Sequence, residues 1–301
     1  MAKGWLVTNG FVNSDKFREL YEKLTEAAKR HECQLIRKSN LELMERFCFY
    51  RGDAVWEDEA RPDFVIFWDK DTRLARLMES AGLRLFNRAE SIEACDDKGL
   101  SFIRLAGSNI RMPKTYVSPK TFSATGYPDH AFLQHVETCL SYPLVLKESF
   151  GSFGQQVHLV QDHDELLLHL ASLGNRPFLL QEYIGTSEGR DIRIQMVGKE
   201  AVAAMYRYNE HDFRANISNG GQMKPYEPTR EQTELARRVC QELNLDFAGV
   251  DILFGENDEP VLCEVNSNAH FKNITDCTGV CVADKILAYI LDKMQEEGNV
   301  K

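Results

Sequence analysis

Residues 248–266 read Ala-Gly-Val-Asp-Ile-Leu-Phe-Gly-Glu-Asn-Asp-Glu-Pro-Val-Leu-Cys-Glu-Val-Asn, two apolar runs joined by a short polar turn. This pattern predicts a β-hairpin with strands at 248–254 and 260–266. Glu264 and Asn266 are two residues apart, so they face the same side of their strand. If the strands pair, Asp251 lies across from them. Two carboxylates and an amide oxygen form a ligand set suited to Mg²⁺, which usually also binds substrate phosphates.

This hairpin has a simpler interpretation, a surface-facing sheet edge whose charged side chains are hydrated. An otherwise apolar strand that carries Glu-x-Asn favours the metal site, because a buried charge is costly unless it is paired or bound to a metal. The candidate magnesium ligands are therefore Asp251, Glu264 and Asn266.

An earlier hairpin is predicted from strands at 144–147 and 157–160 and the glycine-containing loop between them. Residues 146–157 read Leu-Lys-Glu-Ser-Phe-Gly-Ser-Phe-Gly-Gln-Gln-Val, which includes Lys147 and Ser152. Glycines let backbone N–H groups approach phosphate oxygens closely, and Lys147 could place a charge on those oxygens. The loop is not a Walker A motif, because no Gly-Lys-Ser/Thr follows and the context is a hairpin. A flexible hairpin tip without a ligand is the alternative.

Two further groups of residues could contact a nucleotide. A strand at 178–183 leads into an extended segment whose backbone could pair with an adenine edge. An ordinary strand end is the alternative. The candidate residues of this segment are Gln181, Glu182, Tyr183 and Ile184. A hairpin with strands at 191–197 and 200–208 carries Asp191 and Arg193 on one face. Arginines on one face could clamp phosphate or carboxylate groups, or could form a solvated salt-bridge ladder; the polar residues of this group include Arg207, Arg214 and Asn216.

The first part of the chain alternates strands with helices. Strands are predicted at 4–8, 33–37, 64–68 and 83–86, and helices at 17–28 and 71–80. This alternation implies a parallel α/β sheet that ends near Cys95. The predicted organisation is an N-terminal α/β domain at 1–95, a central lobe at 96–184 and a C-terminal lobe at 185–301. The fold class is therefore α/β, with α+β character in the later lobes.

Composition excludes several classes of protein. The 301 residues contain 36 Lys and Arg against 46 Asp and Glu, a formal net charge of −10, and no basic cluster is apparent. We therefore expect neither nucleic acid nor a membrane surface as a partner. The longest apolar runs, 201–206 and 286–291, are far shorter than the ~20 residues of a membrane helix. The first residues do not resemble an export signal, and eight scattered Cys indicate reduced thiols and a cytoplasmic location.

These motifs, in this order, resemble the ATP-grasp superfamily and, within it, the RimK family of L-glutamate ligases. The similarity runs from about Asn87 to about Ile290. It extends to Asp97-Lys98, Met112-Pro-Lys-Thr115, Gly189-Arg-Asp-Ile-Arg193, Asp212-Phe-Arg-Ala-Asn216 and Gly249-Val-Asp251. The resemblance implies a fold in which central and C-terminal lobes enclose ATP behind an N-terminal α/β lobe.

The resemblance also implies a role for each matching residue. ATP and Mg²⁺ are the expected cofactors, with Mn²⁺ able to substitute, and the metal ligands would be the three residues already proposed. Arg193 and Arg214 would stabilise an acyl phosphate or its tetrahedral successor. The matched nucleotide-contacting positions are Lys98, Lys147, Ser152, Gln181, Glu182, Tyr183, Ile184, Asp191, Arg214 and Asn216.

The implied reaction is the ADP-forming ligation of a carboxylate to an amine. A small-molecule or peptide substrate with a free carboxylate would receive glutamate or another amino acid, and the enzyme would be a homo-oligomer, a dimer or tetramer. Two alternatives remain open. The chain could be an ATP-grasp ligase that joins free amino acids, or a non-catalytic ATP-binding regulatory protein.

One segment departs from the family pattern. After Glu-Val-Asn the family usually has a small residue and then Ser-Pro-Gly, whereas this chain has Ser267-Asn-Ala-His-Phe-Lys272. This stretch is bulky and potentially cationic, and it lies beside the predicted metal site. His270 and Lys272 could recognise a substrate carboxylate or could be structural, and the sequence leaves both open. The usual glutamate specificity is therefore not assumed.

Overall fold

The computed structural model describes residues 1–50, 53–56, 61–152 and 154–298. In the first lobe, strands β1, β2, β5 and β6 form a parallel sheet in the order β2-β1-β5-β6, which confirms the predicted parallel α/β lobe. A two-stranded hairpin, β3–β4, is separate from this sheet. The elements are β1 Lys3–Thr8, α1 Asp15–Arg30, β2 Gln34–Ser39, α2 Asn40–Met44, β3 Phe47–Tyr50, β4 Asp53–Trp56, β5 Phe64–Trp68, α3 Thr72–Ser80 and β6 Leu85–Phe86.

The central lobe is an antiparallel sheet in the order β7-β10-β8-β9 with helices packed on it. Its β8–β9 pair confirms the hairpin predicted around the glycine-containing loop. Helix α4 Ala89–Asp96 comes before this lobe and packs with Ala89 and Ile92 on the first lobe. The elements that follow are α5 Lys98–Leu105, β7 Thr115–Val117, α6 Ala131–Cys139, β8 Leu144–Glu148, β9 Val157–Val160, α7 His163–Leu173 and β10 Phe178–Glu182.

The third lobe is a five-stranded antiparallel sheet in the order β13-β12-β11-β14-β15. Both predicted hairpins are confirmed, and in the second of them Asp251 pairs with Glu264 and Gly249 with Asn266. The elements are β11 Arg190–Val197, β12 Glu200–Tyr208, β13 Gln222–Pro225, α8 Arg230–Glu242, β14 Phe247–Phe254, β15 Pro260–Asn266, α9 Lys272–Thr278 and α10 Val282–Gly298.

The third sheet is covered on both faces. Helix α8 packs with Ile192, Ile194 and Val250 on one face. On the other face, α9 and α10 join side chains of the first lobe in one continuous core, in which Trp68 stacks on Phe247 with ring centroids 5.5 Å apart. The first and third lobes are therefore joined by a shared apolar interior.

Several elements differ from the sequence-based prediction. Helix α4 was not predicted; it ends at Asp96, and the carboxylate of Asp97 accepts a hydrogen bond from the N–H of Leu100 and caps α5. The short elements α2, β3, β4, β13 and α9 were not predicted either. Gly279, with φ of 74°, ends α9 between Cys277 and Cys281.

The cysteines Cys33, Cys95, Cys139, Cys240, Cys263, Cys277 and Cys281 are free thiols. Within the described ranges, no helix combines the length and the apolar character needed to cross a bilayer.

Candidate active site

A cavity of about 370 Å³ lies where the three lobes meet. The first lobe contributes residues that follow the carboxyl ends of β1 and β5, the edge at which parallel α/β sheets usually bind ligands. The central lobe contributes the start of α5 and the glycine-containing loop, and the third lobe contributes β11, β14 and β15. The predicted site residues that line the cavity are Lys98, Ser152, Arg193, Asn216, Asp251, Glu264 and Asn266.

A buried network of ion pairs forms the floor of the cavity. Arg193 donates to both carboxylate oxygens of Asp251, at 2.7 and 2.6 Å. Arg207 does the same to Asp191, at 2.6 Å for both bonds, and its Nη2 also lies 3.1 Å from Asp251 Oδ2. The sequence placed Asp191 and Arg193 on one face, and the structure shows that each pairs with a residue of a neighbouring strand.

The charges in this network stabilise the ionised forms of Asp251 and Arg207, whereas burial raises the pKa of Asp191. Burial raises the pKa of Asp251, but the two guanidinium groups lower it by more, so the net shift is downward. Burial lowers the pKa of Arg207, and the two carboxylates reverse this effect and raise it. Both arginines line the cavity, but Arg207 is 4% exposed and Arg193 is 16% exposed, so Arg193 is the more accessible to a ligand.

The residues predicted to bind magnesium fit a hard cation. Asp251 and Glu264 are register partners on adjacent strands, and Asn266 lines the same cavity. Across the described ranges no group of three or more His, Cys, Asp or Glu side chains could hold a metal ion. These two carboxylates and one amide would therefore need other oxygens, such as those of phosphates, to complete a coordination shell. A cation would also share Asp251 with Arg193, because both carboxylate oxygens accept from that guanidinium.

The glycine-containing loop is held from two sides. The ammonium group of Lys98 donates to the carbonyl of Gly151 at 3.1 Å and lies 3.9 Å from Glu264 Oε1. On the other side, Arg214 donates to the carbonyl of Gly154 at 2.7 Å and to that of Val157 at 3.2 Å. Arg214 does not line the cavity, and its predicted role at the acyl phosphate stays a prediction.

Gly154 occupies a position that strongly favours glycine. Its φ is +72°, and a Cβ there would lie 2.7 Å from Asn216 Oδ1. The loop therefore approaches Asn216 as closely as the backbone allows.

The remaining predicted nucleotide contacts lie outside the cavity. The Lys147 ammonium is 3.9 Å from the sulfur of Cys263. Gln181 donates to the hydroxyl of Thr115 at 2.8 Å, and Glu182 accepts at Oε2 from the N–H of Lys114 at 3.1 Å. Tyr183 and Ile184 follow at the passage from the central to the third lobe. Their contacts with a nucleotide, and that of Asp191, stay predictions.

The departing segment, Ser267–Lys272, docks on the first lobe. Asn268 donates to the carbonyl of Asp69 at 2.8 Å, and Nε2 of His270 donates to the carbonyl of Lys16 at 2.8 Å. Asn87 donates a hydrogen bond to the carbonyl of Ser267 at 3.0 Å. The ring of Phe271 packs edge-on against Trp68, with centroids 5.5 Å apart, and Lys272 forms an ion pair with Glu19 at 3.5 Å.

The same segment also passes close to β14, where a Cβ on Gly249 would lie 2.5 Å from that of Ala269. Burial lowers the pKa of His270 to about 4, so the ring is neutral near pH 7. Lys272 does not line the cavity, and its ammonium lies 2.6 Å from Asp276.

Sequence reasoning missed the contribution of the first lobe, which it treated as generic. Lys16, Asn9 and Asp69 line the cavity. Burial raises the pKa of Asp69, whose carboxylate accepts from Asn9 at 3.2 and 3.3 Å. The available signal was the position of Asn9 and Asp69 directly after the predicted strands 4–8 and 64–68, because ligands bind at that edge of a parallel sheet.

The three-lobed fold is that of ATP-grasp enzymes. An ATP-grasp RimK domain protein from Sphaerobacter thermophilus matches with a TM-score of 0.68 and 19% identity over 96% of this chain and 100% of that chain. D-alanine–D-alanine ligase from Bacillus anthracis in complex with ATP matches with a TM-score of 0.73 and 18% identity over 98% of each chain. A model of the family described as RimK-like ATP-grasp domain matches residues 95–290, so the chain belongs to that family.

Relatives in sequence agree with this assignment. An uncharacterized protein from Mycoplasma pneumoniae, an MG012 homolog, is 33% identical over 75% of this chain and 79% of its own length. N-acetylaspartylglutamate synthase A from Homo sapiens is 32% identical over 74% of this chain and 56% of its own length. A probable alpha-L-glutamate ligase from Picosynechococcus sp. is 32% identical over 73% of this chain and 71% of its own length. The chain is a ligase that forms carbon–nitrogen bonds, and it uses the ATP-grasp fold.

Proposed function

We propose that this ligase joins a carboxylate to an amine through an acyl phosphate, adding glutamate or another amino acid to a small or peptide-like substrate. A carboxylate oxygen of the substrate attacks the γ-phosphorus of ATP, and ADP leaves. The nitrogen of the amine then attacks the acyl carbon, phosphate leaves, and the nitrogen loses a proton. The glutamate in the names of the synthase and ligase relatives supports glutamate as the amine.

The observation that carries this proposal is the convergence of opposite charges on one cavity. Lys98 and Arg193 supply cations for phosphate and carboxylate oxygens, and Asp251, Glu264 and Asn266 supply oxygen ligands. Mg²⁺, or Mn²⁺ in its place, would be held by these ligands together with phosphate oxygens and would offset negative charge there. Positioning and electrostatics dominate such phosphoryl transfer, so the site needs no nucleophilic side chain.

The two arginines predicted to be catalytic take different roles in this proposal. Arg193 lines the cavity and would stabilise the acyl phosphate once a cation competes for Asp251. Arg214, held by Asp212 at 2.9 and 2.7 Å, would act as a positioning residue that keeps the glycine-containing loop over the nucleotide. A nucleotide that binds between the central and third lobes and moves them apart would contact Lys147 and residues 181–184.

An assay of ADP release tests the proposal. The protein is incubated with ATP, Mg²⁺ and pairs drawn from amino acids, peptides and glutamyl conjugates. We expect ADP and phosphate with at least one pair, and loss of activity in Glu264→Gln. Glu256→Gln, on the exposed turn of the same hairpin, is the matched control and should keep full activity. Release of AMP and pyrophosphate would refute the acyl-phosphate mechanism, and no release with any pair would refute the ligation.

A cytoplasmic location and a homo-oligomeric state belong to the same proposal. The acidic composition and the free thiols support the location. Light scattering coupled to size exclusion tests the oligomer, and a monomeric mass at all concentrations would refute it.

A further inference from the structure

The first lobe contributes two lysines to the lining of the cavity. Lys16 lies in the first turn of α1 and lines the cavity together with Arg193 of the third lobe. The other lysine is Lys70, which lies beyond the carboxyl end of β5. Burial and the charge of Arg193 both lower the pKa of Lys16, so the two cations are close enough to repel each other. An anion bound in the cavity would relieve that repulsion.

The departing segment holds this turn of α1 in place. His270 donates from Nε2 to the carbonyl of Lys16 at 2.8 Å, and its ring meets Phe17 edge-on with centroids 5.9 Å apart. Lys272 lies 3.5 Å from Glu19, one residue beyond the turn. Because a single segment contacts three positions near the start of α1, it fixes where Lys16 enters the cavity. His270 itself is neutral and does not supply the charge.

The reacting carboxylate of a substrate must lie near the transferred phosphoryl group. That end of the cavity is marked by Lys98, Glu264 and the loop at Gly151. Lys16 comes from the first lobe and Lys98 from the central lobe, so the two ammonium groups approach the cavity from different lobes. We propose that Lys16 binds a second, non-reacting carboxylate of the substrate and that His270 is the positioning residue that holds Lys16 there. The proposal rests on the proposed function, because it divides the substrate into reacting and non-reacting parts.

Equilibrium binding to matched pairs of ligands tests this role. Each pair is a dicarboxylate and its analogue with one carboxylate replaced by methyl, such as succinate and butyrate, or N-acetyl-L-aspartate and N-acetyl-L-2-aminobutyrate. Calorimetry is run with and without AMPPNP and Mg²⁺. We expect at least one dicarboxylate to bind roughly 10- to 100-fold more tightly than its analogue, the range of a charge-assisted hydrogen bond. Lys16→Met should abolish this preference without changing the affinity for AMPPNP.

Further variants separate positioning from folding. His270→Leu should reduce the preference, whereas His270→Gln, which keeps a donor for the Lys16 carbonyl, should retain most of it. Lys199→Met, which removes a charge from the exposed turn between β11 and β12, is the matched control and should behave as the wild type. Circular dichroism of each variant confirms that it is folded.

The possible results distinguish this proposal from the proposed function. If AMPPNP binds but no dicarboxylate is preferred, or if Lys16→Met keeps the preference, the role of Lys16 is overturned and the ligase proposal stands. If AMPPNP does not bind, the ligase proposal fails, and the pairs measured without nucleotide still decide whether Lys16 binds a carboxylate.

Discussion

Replacing Arg207 by methionine removes the guanidinium that Asp191 and Asp251 share. Asp191 loses both of its 2.6 Å hydrogen bonds, while Asp251 loses a contact at 3.1 Å and keeps its bidentate partner Arg193. The variant therefore leaves one buried carboxylate without a cation. Removing one partner of a buried ion pair costs about 3–5 kcal/mol. At about 2 °C per kcal/mol for a large domain, the melting temperature should fall by roughly 6–10 °C.

Differential scanning fluorimetry and calorimetry measure this fall in melting temperature. Two further variants test whether the unpaired buried charge is its cause. Asp191→Leu combined with Arg207→Met removes both charges and fills the space with apolar groups, so it should recover more than half of the stability lost by Arg207→Met alone. Arg237→Met breaks an exposed pair with Glu234 and should leave the melting temperature unchanged. The reasoning is refuted if Arg207→Met behaves like Arg237→Met, or if the double variant loses more than the single one.

Three other perturbations probe the site. Gly154→Ala should abolish ADP release, because its Cβ would meet Asn216 at 2.7 Å. The control Gly107→Ala, at a similar positive φ with open space around it, should retain turnover, and equal activities of the two variants would contradict this reasoning. Arg193→Met should raise the affinity of the nucleotide-free protein for Mn²⁺, measured by electron paramagnetic resonance, because the cation no longer competes with a guanidinium for Asp251; weaker binding would contradict it. The pKa of His270 is depressed to about 4, so the stability that its neutral ring contributes is present above the unfolded value of about 6.5 and is lost as the pH falls toward 4. The melting temperature of the wild type should therefore fall more steeply than that of His270→Gln between pH 7 and pH 4, and parallel curves would contradict this.

The hairpins could be predicted from sequence because their information is local. Alternating apolar residues on both sides of a polar turn predict paired strands, and this pattern correctly placed Asp251 opposite Glu264. Helix α4 was missed, although the carboxylate of Asp97 that caps the next helix, α5, is also a local signal.

The partners of the charged residues could not be predicted, because they depend on the register between strands. Asp191 and Arg193 share a face, as expected, yet Asp191 pairs with Arg207 across β12 and Arg193 pairs with Asp251 across β14. The cavity residues of the first lobe were missed for a related reason. Lys16 and Asp69 lie far from Arg193 and Asn268 in the chain, and only the packing of one lobe on another brings them together.

The interior shared by the first and third lobes determines which part of the chain can stand alone. The region that matches the family, residues 95–290, contains Phe247, Phe271 and Ile286, but lacks the side chains of Phe64, Trp68 and Phe86 that cover them. A fragment with those boundaries would expose this apolar surface to water. The first lobe is therefore part of the folding unit, and the fragment should aggregate where the whole chain remains in solution. During evolution, a different first lobe could replace this one only if it also supplied apolar side chains in place of Phe64, Trp68 and Phe86.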